Sequence, residues 1–298
     1  MFVYISVTYA RPCKIHKSAR CYEFSYLVLY NDMSTEIMFA QFAPAEKGTL
    51  VRNRNIWTST FDGRQDIKKV ILLAGVETIG KGAFVNCTNL TSVTFPEGLK
   101  TIGDYAFART GLTSVTLPAG LETIESNVFA NCTGLTSVTL PQGLKTIRKF
   151  AFFDCTSLTS VTLPAGLEII GESAFSECHS LTSATFPEGL KTIGAAAFNR
   201  CHSLTSATLP EGLKTIGDWT FRDCSKLTSV TFPEGLETIG DEAFFGCRGL
   251  TSVTFPGSLR SIESKAFELC EGLEAVTVPE SANVADDAFD ESVEITRI

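Results

Sequence analysis

Hydrophobic and polar positions in this chain recur with a period of 23 residues over most of its length. In the copy that starts at Leu90, the apolar positions Leu90, Val93 and Phe95 fall around the polar Ser92 and Thr94. That alternation predicts a short strand with Val93 and Phe95 facing inward and Ser92 and Thr94 facing out. Pro96 ends the strand because it has no N–H to give to a ladder, and Gly98 suits the turn that follows. Leu99 and Ile102 form a second short inward-facing pair. Gly103 and the next residues turn the chain, and Ala106-Phe107 plugs the coil before the next leucine. The pattern starts ten times, at Ile67, Leu90, Leu112, Leu135, Leu158, Leu181, Leu204, Leu227, Leu250 and Leu273. Phe84, Phe107, Phe129, Phe152, Phe175, Phe198, Phe221, Phe244, Phe267 and Phe289 mark the same point in each copy.

A fixed period in the twenties signals a solenoid, in which each unit buries its apolar face only against its neighbours. The expected fold is a β-rich solenoid of ten stacked right-handed coils, with short strands and turn-like convex segments, capped at both ends. Residues 1–66 are expected to form the N-terminal cap. Tyr22–Tyr30 and Thr35–Phe42 read as strands around a turn at Asn31-Asp32, and Ile56 to Phe61 reads as a worn first repeat. Residues 67–292 hold the ten repeats. The second copy is one residue short, with Thr110 where others have Cys. The tenth is degenerate and acidic (Asp286, Asp287, Asp290, Glu291), and residues 293–298 read as a last strand in a C-terminal cap. Stacking also explains the row Glu77, Lys100, Glu122, Lys145, Glu168, Lys191, Lys214, Glu237 and Arg260, whose neighbours mostly have opposite sign. Within copies, Glu97 goes with Lys100, Glu188 with Lys191 and Glu211 with Lys214.

Composition narrows the function. A net charge of −8 argues against binding a phosphate backbone, so no nucleic-acid partner is expected. No window is apolar for long enough to span a membrane. The opening MFVYISVTYARPCK lacks a basic start and reads as a strand rather than a cleaved signal. No G-x-S-x-G, H-E-x-x-H, phosphate-binding loop or C-x-x-C is present, so an enzyme is not expected. The cysteine row Cys87, Cys132, Cys155, Cys178, Cys201, Cys224, Cys247 and Cys270 has no zinc spacing, and Thr110 and Ser292 share its slot. It is expected to be a ladder of buried free thiols, which favours a reducing compartment. His179 and His202 sit beside Cys178 and Cys201 as a tandem duplication, with no repeating carboxylate nearby, and His16 has no partner motif. Neither a metal nor a cofactor is expected. Sequons begin at Asn86, Asn89 and Asn131, and glycosylation is not expected without export.

The unit just described resembles the BspA-like leucine-rich repeat family, whose copies read L-x-x-V-x-[IFL]-P-x-x-[LV]-x-x-I-G-x-x-A-F-x-x-C. The resemblance implies a leucine-rich-repeat solenoid, non-catalytic, of a kind associated with surface adhesion and protein binding. Gly98 and its equivalents stand where the better-known leucine-rich repeat has Asn or Cys, so no asparagine ladder is expected. A long convex helix does not fit beside two strands in one copy. The partner implied is another protein. Two surfaces could meet it. One is the hydroxyl lattice of Ser92/Thr94, Ser137/Thr139, Ser160/Thr162 and their equivalents, which also suits a structural or ice-binding role. The other is the pair of variable slots flanking the phenylalanine, where Tyr105, Phe150, Phe153, Trp219 and Phe245 are large aromatics. Exposed aromatics are favoured interface anchors, so these five are the candidate binding residues.

Overall fold

The computed structural model describes residues 5–7, 26–28, 49–52 and 54–298. The chain divides into two units, Met1–Thr49 and Leu50–Ile298. In the first, Ile5–Val7 pairs antiparallel with Tyr26–Val28, Ile5 opposite Val28. The strand expected at Thr35–Phe42, the turn at Asn31-Asp32 and His16 lie outside the described residues.

The second unit is a parallel β-solenoid, and no α-helix occurs among the described residues. Ser114–Thr116, Ser137–Thr139, Ser160–Thr162, Ser183–Thr185, Ser206–Thr208 and Ser229–Thr231 form one six-stranded parallel sheet. Its register is one repeat per step, with Val115 beside Val138 and Ala207 beside Val230. The Val or Ala of most of these strands is buried and the flanking Ser and Thr are exposed, as period-2 alternation requires. A second face carries two-residue strands such as Thr146–Ile147 and Ile169–Ile170, with each second residue buried. Between the faces, the Pro-x-Gly-Leu turn closes with Leu99 N–H donating to Pro96 O, and likewise in later copies.

The third side of each coil carries the phenylalanine, and its turns follow a rule of alternation. Ala83, Val85 and Cys87 donate their N–H to Gly80, Gly82 and Phe84 of their own coil. Gly82, Phe84 and Asn86 donate to Asp104, Ala106 and Ala108 of the next coil. The axial bonds recur along the stack, for example Phe152 to Ala174 at 2.8 Å and Phe221 to Ala243 at 2.8 Å. Sending alternate amides along the axis needs a left-handed residue on each side of the phenylalanine. Two residues before it, φ is 58° at Tyr105, 59° at Asn127, 58° at Phe150, 55° at Ala196 and 56° at Trp219. Two residues after it, φ is 57° at Arg109, 60° at Asn131 and 56° at Asp154.

Stacking turns the phenylalanines into one column. From Phe61 through Phe289 successive ring centroids are 5.1 to 5.8 Å apart with planes 6 to 14° from parallel. Such near-parallel rings contribute about 0.5–1.5 kcal/mol per pair beyond their burial. Phe95, Phe186, Phe232 and Phe255, each directly after a Ser-x-Thr segment, meet this column edge-on.

Polar rows stack in the same way. Thr136 Oγ1 donates to Thr113 O at 2.9 Å, Thr182 to Thr159 and Thr228 to Thr205, so a threonine row bonds successive coils. The charged row pairs between coils: Lys100 with Glu77 at 3.0 Å, Lys145 with Glu122 at 3.6 Å and Lys191 with Glu168 at 2.7 Å. Glu237 lies between Lys214 and Arg260. Among the described residues, Glu97, Glu188 and Glu211 form no ion pair with the lysine of their own copy. These exposed pairs add little stability, but opposite signs favour one-repeat register. The two-residue sheet divides twice in mid-stack. One break separates Ile193 from Thr215, at the single like-charge step Lys191/Lys214, and the other separates Ile102 from Thr123, after the short copy.

Two substitutions two residues apart should therefore act in opposite directions. A Cβ on Gly194 would lie 2.5 Å from Glu172 N of the preceding coil, so Gly194→Ala should cost about 1–3 kcal/mol. Ala196→Gly should instead be neutral or stabilise by up to about 1 kcal/mol, because a left-handed residue carries a Cβ penalty of about 1–2 kcal/mol. Urea midpoints measure both. A loss for Ala196→Gly equal to that of Ala195→Gly would contradict the left-handed assignment.

Candidate functional site

Side chains on the turn side are arranged in columns, because each coil repeats the one before it. Two residues before the phenylalanine the column runs Gly82, Tyr105, Asn127, Phe150. One residue after it runs Val85, Ala108, Ala130, Phe153, and two residues after it Asn86, Arg109, Asn131. Ala108 and Ala130 are buried, each 3% exposed, and stand between the larger Val85 and Phe153. Two successive small residues in that column leave a dip. The dip is a cavity of about 330 Å³ lined by Val85, Tyr105, Ala108, Arg109, Asn127, Ala130, Asn131, Phe150 and Phe153.

Its walls are aromatic and amide. Tyr105 is 42% exposed, with the Lys81 ammonium 5.9 Å from its ring centroid. Phe150 and Phe153 meet edge to face at 5.7 Å. Among the described residues, the guanidinium of Arg109 and the amides of Asn127 and Asn131 take no hydrogen-bond or ion-pair partner. The contrast with the coil at Asn86 is informative, since the Asn86 amide donates to Asp62 Oδ1 at 3.0 Å and Asn89 to Gln65 O at 2.8 Å.

The cavity also coincides with the irregular copy. The short repeat loses its residue between Phe107 and Leu112. Gly111 takes up the shortfall, passing so close to Thr88 O that a Cβ would collide with it. The Phe107–Phe129 spacing of 5.8 Å is the widest in the ring column. The Ser-x-Thr sheet divides at the same step, between Ser92–Thr94 and Ser114–Thr116.

The structure thus separates the five aromatics singled out from sequence. Tyr105, Phe150 and Phe153 converge on one cavity. Trp219, 45% exposed, and Phe245 do not line it. Phe245 is covered by the Arg222 guanidinium 4.7 Å from its ring, and Arg222 is in turn ion-paired to Glu242 and Asp223. Arg109 and Asn131 were not singled out, although an Asn/Asp/Gly-rich column two residues past the phenylalanine (Asn86, Asn131, Asp154, Asp223, Gly246) is a signature of left-handed backbone. A second cavity, of about 320 Å³, opens where the two-residue sheet divides and is lined by Lys191 and Lys214. Both of those ammoniums are directed at carboxylates, on Glu168 and Glu237.

Beside the stacked histidines no carboxylate repeats among the described residues: Glu177 Oε2 is 2.8 Å from His179 Nε2, but the equivalent position beside His202 is Arg200, which donates to Glu177 Oε1 at 2.8 Å. Burial pushes the Glu177 carboxyl up, but the His179 and Arg200 hydrogen bonds outweigh it and hold the group below the usual range. The sequence spacing hid this contact because Glu177 and His179, two apart, flank the turn at Cys178. His179 and His202 stack at 4.9 Å. Among the described residues no cluster of three or more His, Cys, Asp or Glu is placed to hold a metal ion.

Residues 54–182 and 168–296 match the BspA type Leucine rich repeat region (6 copies). The chain belongs to the BspA-type leucine-rich repeat family. It is similar to the solved Leucine Rich Repeat protein of T. pallidum, at 31% identity over 61% of this chain and 78% of that one, with a TM-score of 0.49. It is also similar to a leucine rich cell surface protein of Faecalibacterium prausnitzii A2-165, at 24% identity over 85% and 88%, with a TM-score of 0.48. A third is a leucine-rich repeat protein of Bacteroides ovatus ATCC 8483, at 23% identity over 90% and 100%, with a TM-score of 0.46. No curated protein matches. Among the described residues no helix is long and apolar enough to cross a membrane.

Within the BspA-type repeat the cysteine has a structural task. The thiol of Cys178 donates to Phe152 O at 3.3 Å in the preceding coil, and Cys155, Cys201, Cys224, Cys247 and Cys270 do the same. Thr110 serves as donor in the short copy, to Phe107 O at 2.9 Å, and its hydroxyl lies 3.2 Å from Cys132 Sγ. A small buried donor is what the slot requires. All eight thiols of the row are buried and free, and burial pushes each one up, Cys87 and Cys132 to about 11.

These thiols should be silent in the folded protein. With Cys13 and Cys21 changed to Ser, a thiol reagent at pH 8 should label the chain only after denaturation. Stability should be fully retained below the ordinary thiol value of 9.0 and fall above it, for Cys132 until about pH 11. The sign follows from the unfolded thiols ionising first, at up to about 1.4 kcal/mol per pH unit for each thiol. Rapid native labelling, or a flat urea midpoint from pH 8 to 10.5, would contradict the buried row.

Proposed function

We propose that this chain is a non-catalytic protein-binding solenoid whose partner docks on the turn side, over the cavity between Tyr105, Phe150 and Phe153. The observation that carries this reading is the convergence of three partly exposed aromatics on one concave site with open polar groups. Interfaces draw most of their energy from such desolvated aromatic anchors in pockets, rimmed by polar groups. The family reading of protein interaction or adhesion points the same way. Residues 67–292 serve as the repeats and 293–298 as the last strand of the C-terminal cap. A second reading rests on the in-register sheet between Ser114 and Thr231, whose exposed hydroxyl lattice suits a structural or ice-binding surface. Thermal hysteresis that disappears in Thr139→Lys and Thr162→Lys would favour it.

A photo-crosslinking residue at Asn127 identifies the partner for measurement. Phe150→Ala with Phe153→Ala should then weaken the purified pair about 30-fold or more, the cost of losing a hot spot of about 2 kcal/mol or more. Folding should survive, because Ala196 and Ala130 occupy these same two slots in other coils. Trp219→Ala should leave affinity unchanged. Equal affinity for the double variant and the parent would refute the site.

A further inference from the structure

The cavity has a chemical polarity that specifies what enters it, and this inference rests on the docking reading above. Its floor is apolar, formed by Val85, Ala108 and Ala130, and its volume of about 330 Å³ suits one or two large side chains. Arg109 is the only charged residue that lines it, on a chain of net charge −8. That guanidinium is exposed and without a partner among the described residues, and a second cation, Lys81, stands over the Tyr105 ring. The acidic groups nearby are turned to other uses or lie outside. Asp104 Oδ1 accepts the Ser126 N–H at 3.2 Å, Asp62 accepts the Asn86 amide, and Asp154, beyond Asn131 in the same column, is not part of the lining. Two open amides, on Asn127 and Asn131, can each donate to and accept from a peptide group.

We infer that the site takes a protein segment that inserts a large apolar side chain between Tyr105, Phe150 and Phe153 and sets an adjacent carboxylate on Arg109. The guanidinium offers a planar fork that matches a carboxylate, and the fork is already positioned at the rim. The amides hold the main chain of the inserted segment. A neutral apolar segment would leave the guanidinium without an anion, and a basic one would oppose it.

The test uses the full chain and a fluorescein-labelled Gly/Ser nonapeptide with Asp-Phe-Asp at its centre, read by fluorescence anisotropy. Matched peptides carry Asn-Phe-Asn or Asp-Ala-Asp. Asp-Phe-Asp should bind about tenfold or more tighter than either, the scale of one charge-assisted hydrogen bond. Arg109→Gln should remove the difference between Asp-Phe-Asp and Asn-Phe-Asn while retaining the neutral peptide, and its slot already accepts Asn131 and Leu269 in other coils. Ala130→Phe should abolish all binding by filling the floor with a side chain that this slot holds as Phe153 and Phe245. Equal binding of Asp-Phe-Asp and Asn-Phe-Asn, lost in Phe150→Ala, would overturn the carboxylate specificity and leave the docking site standing. Peptide binding unaffected by Phe150→Ala and Ala130→Phe would overturn both. Binding of sodium glucuronate, abolished by Arg109→Gln, with no peptide bound would also overturn the inference and assign the site to acidic sugars.

Discussion

Axial hydrogen bonding between successive turns is the constraint on which the rest of this structure depends. Alternate amides around the phenylalanines from Phe61 to Phe244 point along the stack, and they can do so only because left-handed residues flank each of them. The arrangement recurs past Phe107, where both strand sheets divide, with Tyr105, Phe107 and Arg109 each bonded to the next coil. A break in the sheets is tolerated because the turn ladder bridges it. The phenylalanine column, the thiol row and the threonine row are consequences of the same register, each repeating one contact from coil to coil.

This division of labour explains which positions are free to vary. The phenylalanines, the leucines and the Ile of Thr-Ile are fully enclosed, and the cysteine is held to small donors by the carbonyl it meets. The glycine after Thr-Ile is restricted by backbone passing beneath it, as at Gly103, where a Cβ would lie 2.7 Å from Lys81 N. Glu125, Arg148 and Glu263 fill that slot elsewhere, and Arg148 reaches Glu125 across one step at 2.9 Å. At Gly217 the same Cβ would lie 3.4 Å from Ala195 N, so the stack is regular in its bonding and not in every contact.

Period, strand positions, inward faces and the enclosure of the phenylalanines were legible in the sequence because burial imposes identical residues at identical spacing. The turn segments were legible only as non-helical. Their left-handed residues are masked because the slot before the phenylalanine holds Tyr105, Phe150 and Trp219, residues whose own preference is against that backbone. Of the candidate site, the aromatics could be named but not grouped. Tyr105 stands two coils before Phe150 and Phe153, and whether these side chains share one dip depends on how the coils align along the axis, which the loss of one residue after Phe107 alters locally. The cavity itself is written in Ala108 and Ala130, and small residues in a variable column carry no signal until their large neighbours, Val85 and Phe153, are known to lie on either side.

The backbone at Tyr105 and Phe150 bears on how these residues should be read. Their slot accepts Gly82, Ser173 and Ala196 within the same stack, so the fold has no need of an aromatic ring there. A bulky residue in left-handed conformation costs about 1–2 kcal/mol relative to glycine, and the neighbouring ladder must hold it. Part of that cost is returned locally, through Lys81 over Tyr105 and the edge-to-face contact of Phe150 with Phe153. Neither contact extends the core, because all three aromatics remain partly exposed. Strained, exposed aromatics that converge on one concavity are hard to account for by packing and are well suited to a surface whose contacts are completed by a second molecule. Trp219, in the same slot and equally strained, lacks the neighbouring dip, and that difference in surroundings is what separates the two.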